Sequence, residues 1–135
     1  MTYFPDLTEY TYTDLQHPDR RVVNVGWLSR EAAFATGTVP PQMMPVLRRM
    51  VASPRNLTRG YHFCEFCLDR LNGGLATRQV TEHLLSAGGA GNGEILVPDP
   101  DGHSYAAPVL IVHYIESHGY QPPAGFCSAV LLLTH

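Results

Sequence analysis

Two short patterns in this chain have the residue types and spacing of metal chemistry. Cys64-Glu65-Phe66-Cys67 is a CxxC, and His113-Tyr114-Ile115-Glu116-Ser117-His118 is an H-x4-H. Zinc takes four borderline or soft donors in a tetrahedron, and two thiolates with two imidazoles form a standard structural set. The turn inside a CxxC can aim both sulfurs at one ion. Two histidines three to five residues apart on a helix can do the same with their rings. Five positions on an ideal helix leave the second ring about 140° away from the first. His118 therefore requires the helix to tighten or unwind near its end, and Ser117 and Gly119 stand where that would happen. The expected ligands are Cys64, Cys67, His113 and His118, with zinc as the ion. His62 could replace one of the helix histidines or stand behind them.

Other readings of the same residues stay open. The cysteines could be two buried free thiols and the histidines ordinary surface groups. A redox role for the CxxC would want a thioredoxin-like βαβ pattern around it, and none surrounds it. Glu94, in Gly91-Asn92-Gly93-Glu94-Ile95, is the candidate catalytic residue. A glutamate that does not bind the metal can relay protons for a metal-bound water, provided one coordination position is open. Otherwise Glu94 is a glutamate at a strand start, facing water or an arginine. Cys127 lies in an apolar stretch and reads as core. Trp27 also reads as core. His17, His83, His103 and His135 stand in polar or terminal contexts and are expected to be solvated. Arg48, Arg49, Arg55, Arg59 and Arg70 form either an anion patch or a solvated face.

Composition narrows the classes. The chain has 135 residues, 44% hydrophobic and 16% charged, which fits a compact globular protein of one domain spanning 1–135. The net charge of −3 gives no footprint for nucleic acid. There is no lysine, which excludes Schiff-base and P-loop chemistry. No apolar run is long enough for a membrane span. Met1–Thr13 lacks the basic-then-apolar pattern of a secretory signal, so a cytoplasmic protein with reduced thiols is expected.

The elements that would position these residues can be read in outline. A short strand is expected near Glu9–Thr13 and a stronger one over Arg21–Leu28, which is β-branched and apolar. Met43, Val46, Leu47 and Met50 have helical spacing within Gln42–Val51, with Pro45 in the first turn. A helix is expected from about Ala76 to Leu85. Glu94–Val97, the turn Pro98–His103 and Ser104–Ala106 read as a hairpin. Pro108 would open a helix to Ser117, ended by Gly119, and Pro122-Pro123 a last helix to Leu133. The expected fold is α+β: a small mixed sheet with a treble-clef-like zinc knuckle, a hairpin, a ligand-bearing helix and a C-terminal helix.

Several blocks together resemble a family of short, uncharacterised bacterial proteins found mainly in actinobacteria. They are Phe4-Pro5-Asp6-Leu7, Asn24-Val25-Gly26-Trp27-Leu28, Arg59–Cys64 with Cys67, Gly93-Glu94-Ile95, and Tyr105–Ile115 running on through His118, Tyr120, Pro122, Pro123 and Phe126. The resemblance implies that CxxC, GxxEI and HYIxxH occur together in one protein, and it implies no activity. The leading expectation is a structural zinc in a small binding or accessory protein for a protein or small-molecule partner. The alternative is a zinc-dependent hydrolase, deaminase or lyase with Glu94 as general acid/base. A nucleic-acid-binding treble clef comes after both, because the net charge and the knuckle are acidic.

Overall fold

The computed structural model describes residues 3–10, 21–54, 62–71, 82 and 89–133. Within them the chain is α+β. Strand β1 (Arg21–Asn24) lies parallel to β5 (His103–Pro108), which pairs antiparallel with β4 (Glu94–Pro98). The order β1-β5-β4 makes a three-stranded mixed sheet with β5 in the centre. Strands β2 (His62–Phe63) and β3 (Ala90–Gly91) form a separate two-stranded antiparallel pair. Four described helices complete the fold: α1 (Met43–Val51), α2 (Glu65–Leu71), α3 (Ile111–His118) and α4 (Ala124–Leu131).

The period of two along each strand divides the sheet into two buried faces. Val23, Ile95, Val97, Tyr105 and Ala107 point into the larger cluster, with α1, α3 and α4. Val22, Leu96 and Ala106 point the other way, into a smaller cluster with Tyr10, Trp27 and Phe4. That second face is covered by the N-terminal segment. It follows the free edge of β1 through Tyr10 N–H to the Val22 carbonyl (2.9 Å), Asn24 N–H to the Thr8 carbonyl (2.8 Å) and Leu7 N–H to the Asn24 carbonyl (2.7 Å). Covering an edge in this way removes a row of unpaired backbone groups.

The aspartate of Phe4-Pro5-Asp6-Leu7 acts as a clamp. Its carboxylate accepts the Gly26 N–H at 2.9 Å and the Tyr120 hydroxyl at 2.7 Å. Burial, and next the Asp6 charge, hold the Tyr120 phenol protonated well above its ordinary range. Gly26 sits at φ +81, and a Cβ there would meet Ile111 Cδ1 at 3.0 Å. The bare backbone at Gly26 is thus what lets α3 approach the end of β1.

Several expectations need correction. The strand expected over Arg21–Leu28 pairs only to Asn24, because the positive φ at Gly26 turns the chain out of the ladder, although Val25, Trp27 and Leu28 stay buried. The strand near Glu9–Thr13 is one bridge, Glu9 to Val23; its residues after Tyr10 lie outside the described ones. Pro108 does not open α3. It is the last residue of β5, opposite Glu94, and the helix starts at Ile111. A strand can end on proline because the following Val109 N–H takes up the bonding, to the Gly93 carbonyl at 3.3 Å. Pro123 caps α4 from outside it, and the helix stops at Leu131. The helix expected over Ala76–Leu85 lies outside the described residues.

Removing the clamp should be measurable. Asp6→Ala leaves a buried phenol and a backbone N–H without their acceptor and should cost about 1–3 kcal/mol in chemical denaturation. Leu7 is the opposite case, an exposed non-glycine residue at φ 67. Left-handed backbone costs a branched residue about 1 kcal/mol, so Leu7→Gly should leave stability unchanged or raise it by up to about that amount. A clear loss would mean that the Leu7 side chain, not the turn, matters.

Candidate metal centre

Cys64 is the residue from which α2 starts. Its carbonyl accepts the Leu68 N–H at 3.0 Å, and its own N–H donates to the Gly89 carbonyl at 2.7 Å, beside the β2–β3 pair. Cys67 follows in the first turn of α2. The backbone N–H groups of Cys67 and Phe66 point back at the Cys64 sulfur, as they would at an oxygen-bearing cap. Cys64 is fully buried and Cys67 partly exposed. The segment read as an irregular knuckle is therefore a strand, a capping cysteine and a helix. Cysteine is an unusual cap, so no ordinary start signal marks α2.

The second pair comes from α3. His113 is buried in the first turn of the helix and His118 is its last residue. Gly119 follows at φ 69, and the Tyr114 carbonyl accepts the N–H groups of both Gly119 and Tyr120, the latter at 3.1 Å. Spans of five and six residues are wider than the four of an α-turn. Widening lowers the rotation per residue, so the offset between positions 113 and 118 shrinks. The unwinding that the five-residue spacing requires is present at Gly119.

Together these residues form a cluster that could hold a metal ion. One donor atom from each of Cys64, Cys67, His113 and His118 lies within 4.8 Å of all the others. Cys64 Sγ to His118 Nε2 is 3.2 Å, Cys67 Sγ to His113 Nε2 is 3.3 Å and Cys67 Sγ to His118 Nε2 is 3.6 Å. The two Nε2 atoms are 3.2 Å apart. With metal–sulfur bonds of about 2.3 Å and metal–nitrogen bonds of about 2.05 Å, a tetrahedron has N···N edges of about 3.3 Å and S···N edges of about 3.6 Å. The N···N separation and one S···N separation match those figures, two S···N separations are 0.3–0.4 Å shorter, and the remaining pairs lie within 4.8 Å.

The electrostatics fit the same reading. Burial pushes the Cys64 thiol up to about 12, against the opposing pull of the Cys67 N–H. A thiol held so far from ionisation at neutral pH is inert as a nucleophile, and becomes a thiolate only when a cation replaces its proton.

The family described as a domain of unknown function (DUF7919) matches residues 2–131. The chain belongs to that family. No curated protein and no solved structure matches the chain. DUF7919 membership agrees with the expected likeness to an uncharacterised family, and the site must be read from its own geometry.

Glu94 is not among the four donors of this cluster. It is buried at the start of β4 and accepts a hydrogen bond from the Tyr10 hydroxyl, so it does not face water. Tyr10 belongs to the smaller cluster and Cys64 to the larger one, on the other face of the sheet. The His62 side chain lies outside the described ones, as do His17, His83 and His135. His103 pairs with Asp101 at 2.8 Å. Cys127 is buried in α4, and Trp27 is core, its ring N–H donating to the Ala106 carbonyl at 2.9 Å. Arg48 is ion-paired to Glu116, Arg55 and Arg59 lie outside the described residues, and the Arg70 side chain is likewise not described. Among the described residues no helix is long and apolar enough to cross a membrane.

Sequence reasoning missed Glu65 and Arg30. The Glu65 carboxylate, between the cysteines, accepts the Arg30 N–H at 2.8 Å, and the Arg30 guanidinium reaches Asp69 at 3.3 Å. These bonds fasten α2 to the segment after Leu28. Only the opposite charges hinted at them, and nothing in the sequence paired them.

The raised Cys64 thiol sets the sign of a pH effect. The metal-free site carries this proton at neutral pH, so binding must release it. Apparent metal affinity should fall about tenfold for each pH unit of acidification from this thiol alone, and more if others also release protons. Competition titrations against a metallochromic chelator at two or three pH values would read the slope. A flat profile would mean that Cys64 does not ligate.

Proposed function

We propose that Cys64, Cys67, His113 and His118 bind one zinc ion that is structural, and that the protein is a small cytoplasmic binding or accessory module for a protein or small-molecule partner. The observation that carries this reading is the convergence of two sulfurs and two imidazole nitrogens, from α2 and α3, at tetrahedral separations. Two thiolates and two imidazoles suit zinc better than magnesium or calcium, which prefer oxygen. Knuckle, β4–β5 hairpin and α3 follow in treble-clef order, and we read the arrangement as treble-clef-like, with α2 as the departure from a plain knuckle.

Catalysis by zinc needs an open coordination position. Four protein donors leave none, and the Tyr10-bonded Glu94 sits on the far face of the sheet, so the enzyme reading has no observation in its favour. A cleft of about 520 Å3, bounded by Asp6, Thr38, Pro123, Cys127 and Leu131, includes none of the four donors. The net charge of −3 likewise gives no support to nucleic acid as the partner.

Protein purified without added metal should carry about one zinc per chain by elemental analysis; well under half an equivalent would sink the reading. Cys64→Ser and His113→Ala should lose the cooperative melt and not merely an activity. A structural zinc contributes on the order of 10 kcal/mol to folding, comparable with the whole stability of a domain this size. Melts close to wild type would remove the structural role.

A further inference from the structure

Phe66 lies between the two cysteines, and its ring does something that neither cysteine can. Its centroid is 5.1 Å from that of His118, with the planes tilted by 48°. It also lies 6.2 Å from Tyr114, edge to face, and 5.3 Å from Phe34. Phe34 in turn meets Tyr120 at 6.1 Å, and Tyr120 is the phenol held by Asp6. A line of rings therefore runs from the N-terminal clamp to one of the four donors.

That donor is the one in need of support. His113 is buried in the first turn of α3, well away from the helix's C-terminal end. His118 is the last residue of α3, before a left-handed glycine, where helices fray. The last turn there is widened, with the Tyr114 carbonyl bonding Gly119 and Tyr120.

We propose that Phe66 is a positioning residue for the metal centre: its ring holds the His118 imidazole in line with the two sulfurs, so that the fourth coordination position is filled by protein and not by water. The proposal rests on the metal reading above. It gives the second variable position of the CxxC a chemical requirement, a flat apolar ring.

Cobalt(II) is a suitable probe, because its visible absorption is intense with four ligands and weakens when water enters. Wild type, Phe66→Ala, Phe66→Tyr, His118→Ala and the double variant Phe66→Ala/His118→Ala are titrated with cobalt(II) and with zinc(II). Phe66→Ala should bind about 10–100-fold more weakly, the usual range for groups that orient a ligand, and lose visible intensity. Phe66→Tyr keeps the ring and should restore both. His118→Ala should lose at least as much affinity as Phe66→Ala, and adding Phe66→Ala to it should weaken binding by less than about twofold, since the group to be positioned is gone. If Phe66→Ala does not fold, Phe66→Leu keeps the apolar volume and should show the same losses. Wild-type spectra and affinity in Phe66→Ala or Phe66→Leu would overturn the proposal, as would full additivity in the double variant. Failure of the wild type to bind cobalt(II) or zinc(II) with four ligands would instead overturn the metal reading, on which the proposal stands.

Discussion

Two sulfurs and two imidazole nitrogens do not converge to within 4.8 Å of one another without a reason. Each Nε2 carries either a proton or a lone pair, and sulfur is a weak donor and a weak acceptor. Packing four such atoms together, partly out of water, satisfies few of them. A cation in the middle satisfies all four at once and repays the desolvation that keeps Cys64 protonated. Other features of the fold can be read as consequences. Helix α2 must begin at Cys64 so that the sulfur points inward, and α3 must open its last turn at Gly119 so that His118 comes round. The β5–α3 junction must place His113 close above the sheet.

The sheet is the fixed reference for this construction. Its central strand is buried on both faces, by helices on one side and the N-terminal segment on the other. Asp6 joins the ends of the chain: one carboxylate bonds both the loop after β1 and the residue just past α3. The segment 35–37 adds a second tie there, through Gln121 N–H to the Ala35 carbonyl at 2.9 Å and Gly37 N–H to the Gly119 carbonyl at 3.1 Å. The C-terminal end of α3, where His118 must be held, is thus braced through Tyr120 and Gly119 by two segments far away in sequence.

The four clustered residues were legible because the chemistry that could hold a metal imposes local rules: residue type, spacing, and a helix under the histidine pair. The hairpin and α1 were legible for the same kind of reason, in turn chemistry and a period near 3.6. What the sequence hid depends on non-local partners. The interruption of the first strand at Gly26 becomes intelligible only when Ile111 is seen against it. Pro108 satisfies a helix-start rule and a strand-end rule equally well, and the β4 pairing decides between them. Glu94 looked like a polar residue at a strand start. Its burial against Tyr10 requires knowing which face of the sheet the N-terminal segment covers, and no periodicity near either residue carries that information.

The energetic case for a metal at this position is strongest where the rest of the fold is weakest. Strands β2 and β3 contribute two residues each, and a two-stranded pair is marginal in water even when longer. Helix α2 has seven residues, below the length at which an isolated helix persists. Neither β2 nor β3 pairs with the main sheet. Among its described attachments to the remainder are the Arg30–Glu65–Asp69 contacts, partly exposed and worth little, the approach of Gly91 to Val109, the ring of Phe66 and the cluster itself. An ion joining Cys64 and Cys67 to His113 and His118 would connect this marginal unit to a helix whose Ile111 and Tyr114 belong to the larger core cluster. The same ion placed within the main sheet, already held by two apolar faces and a buried clamp, would add far less to local order.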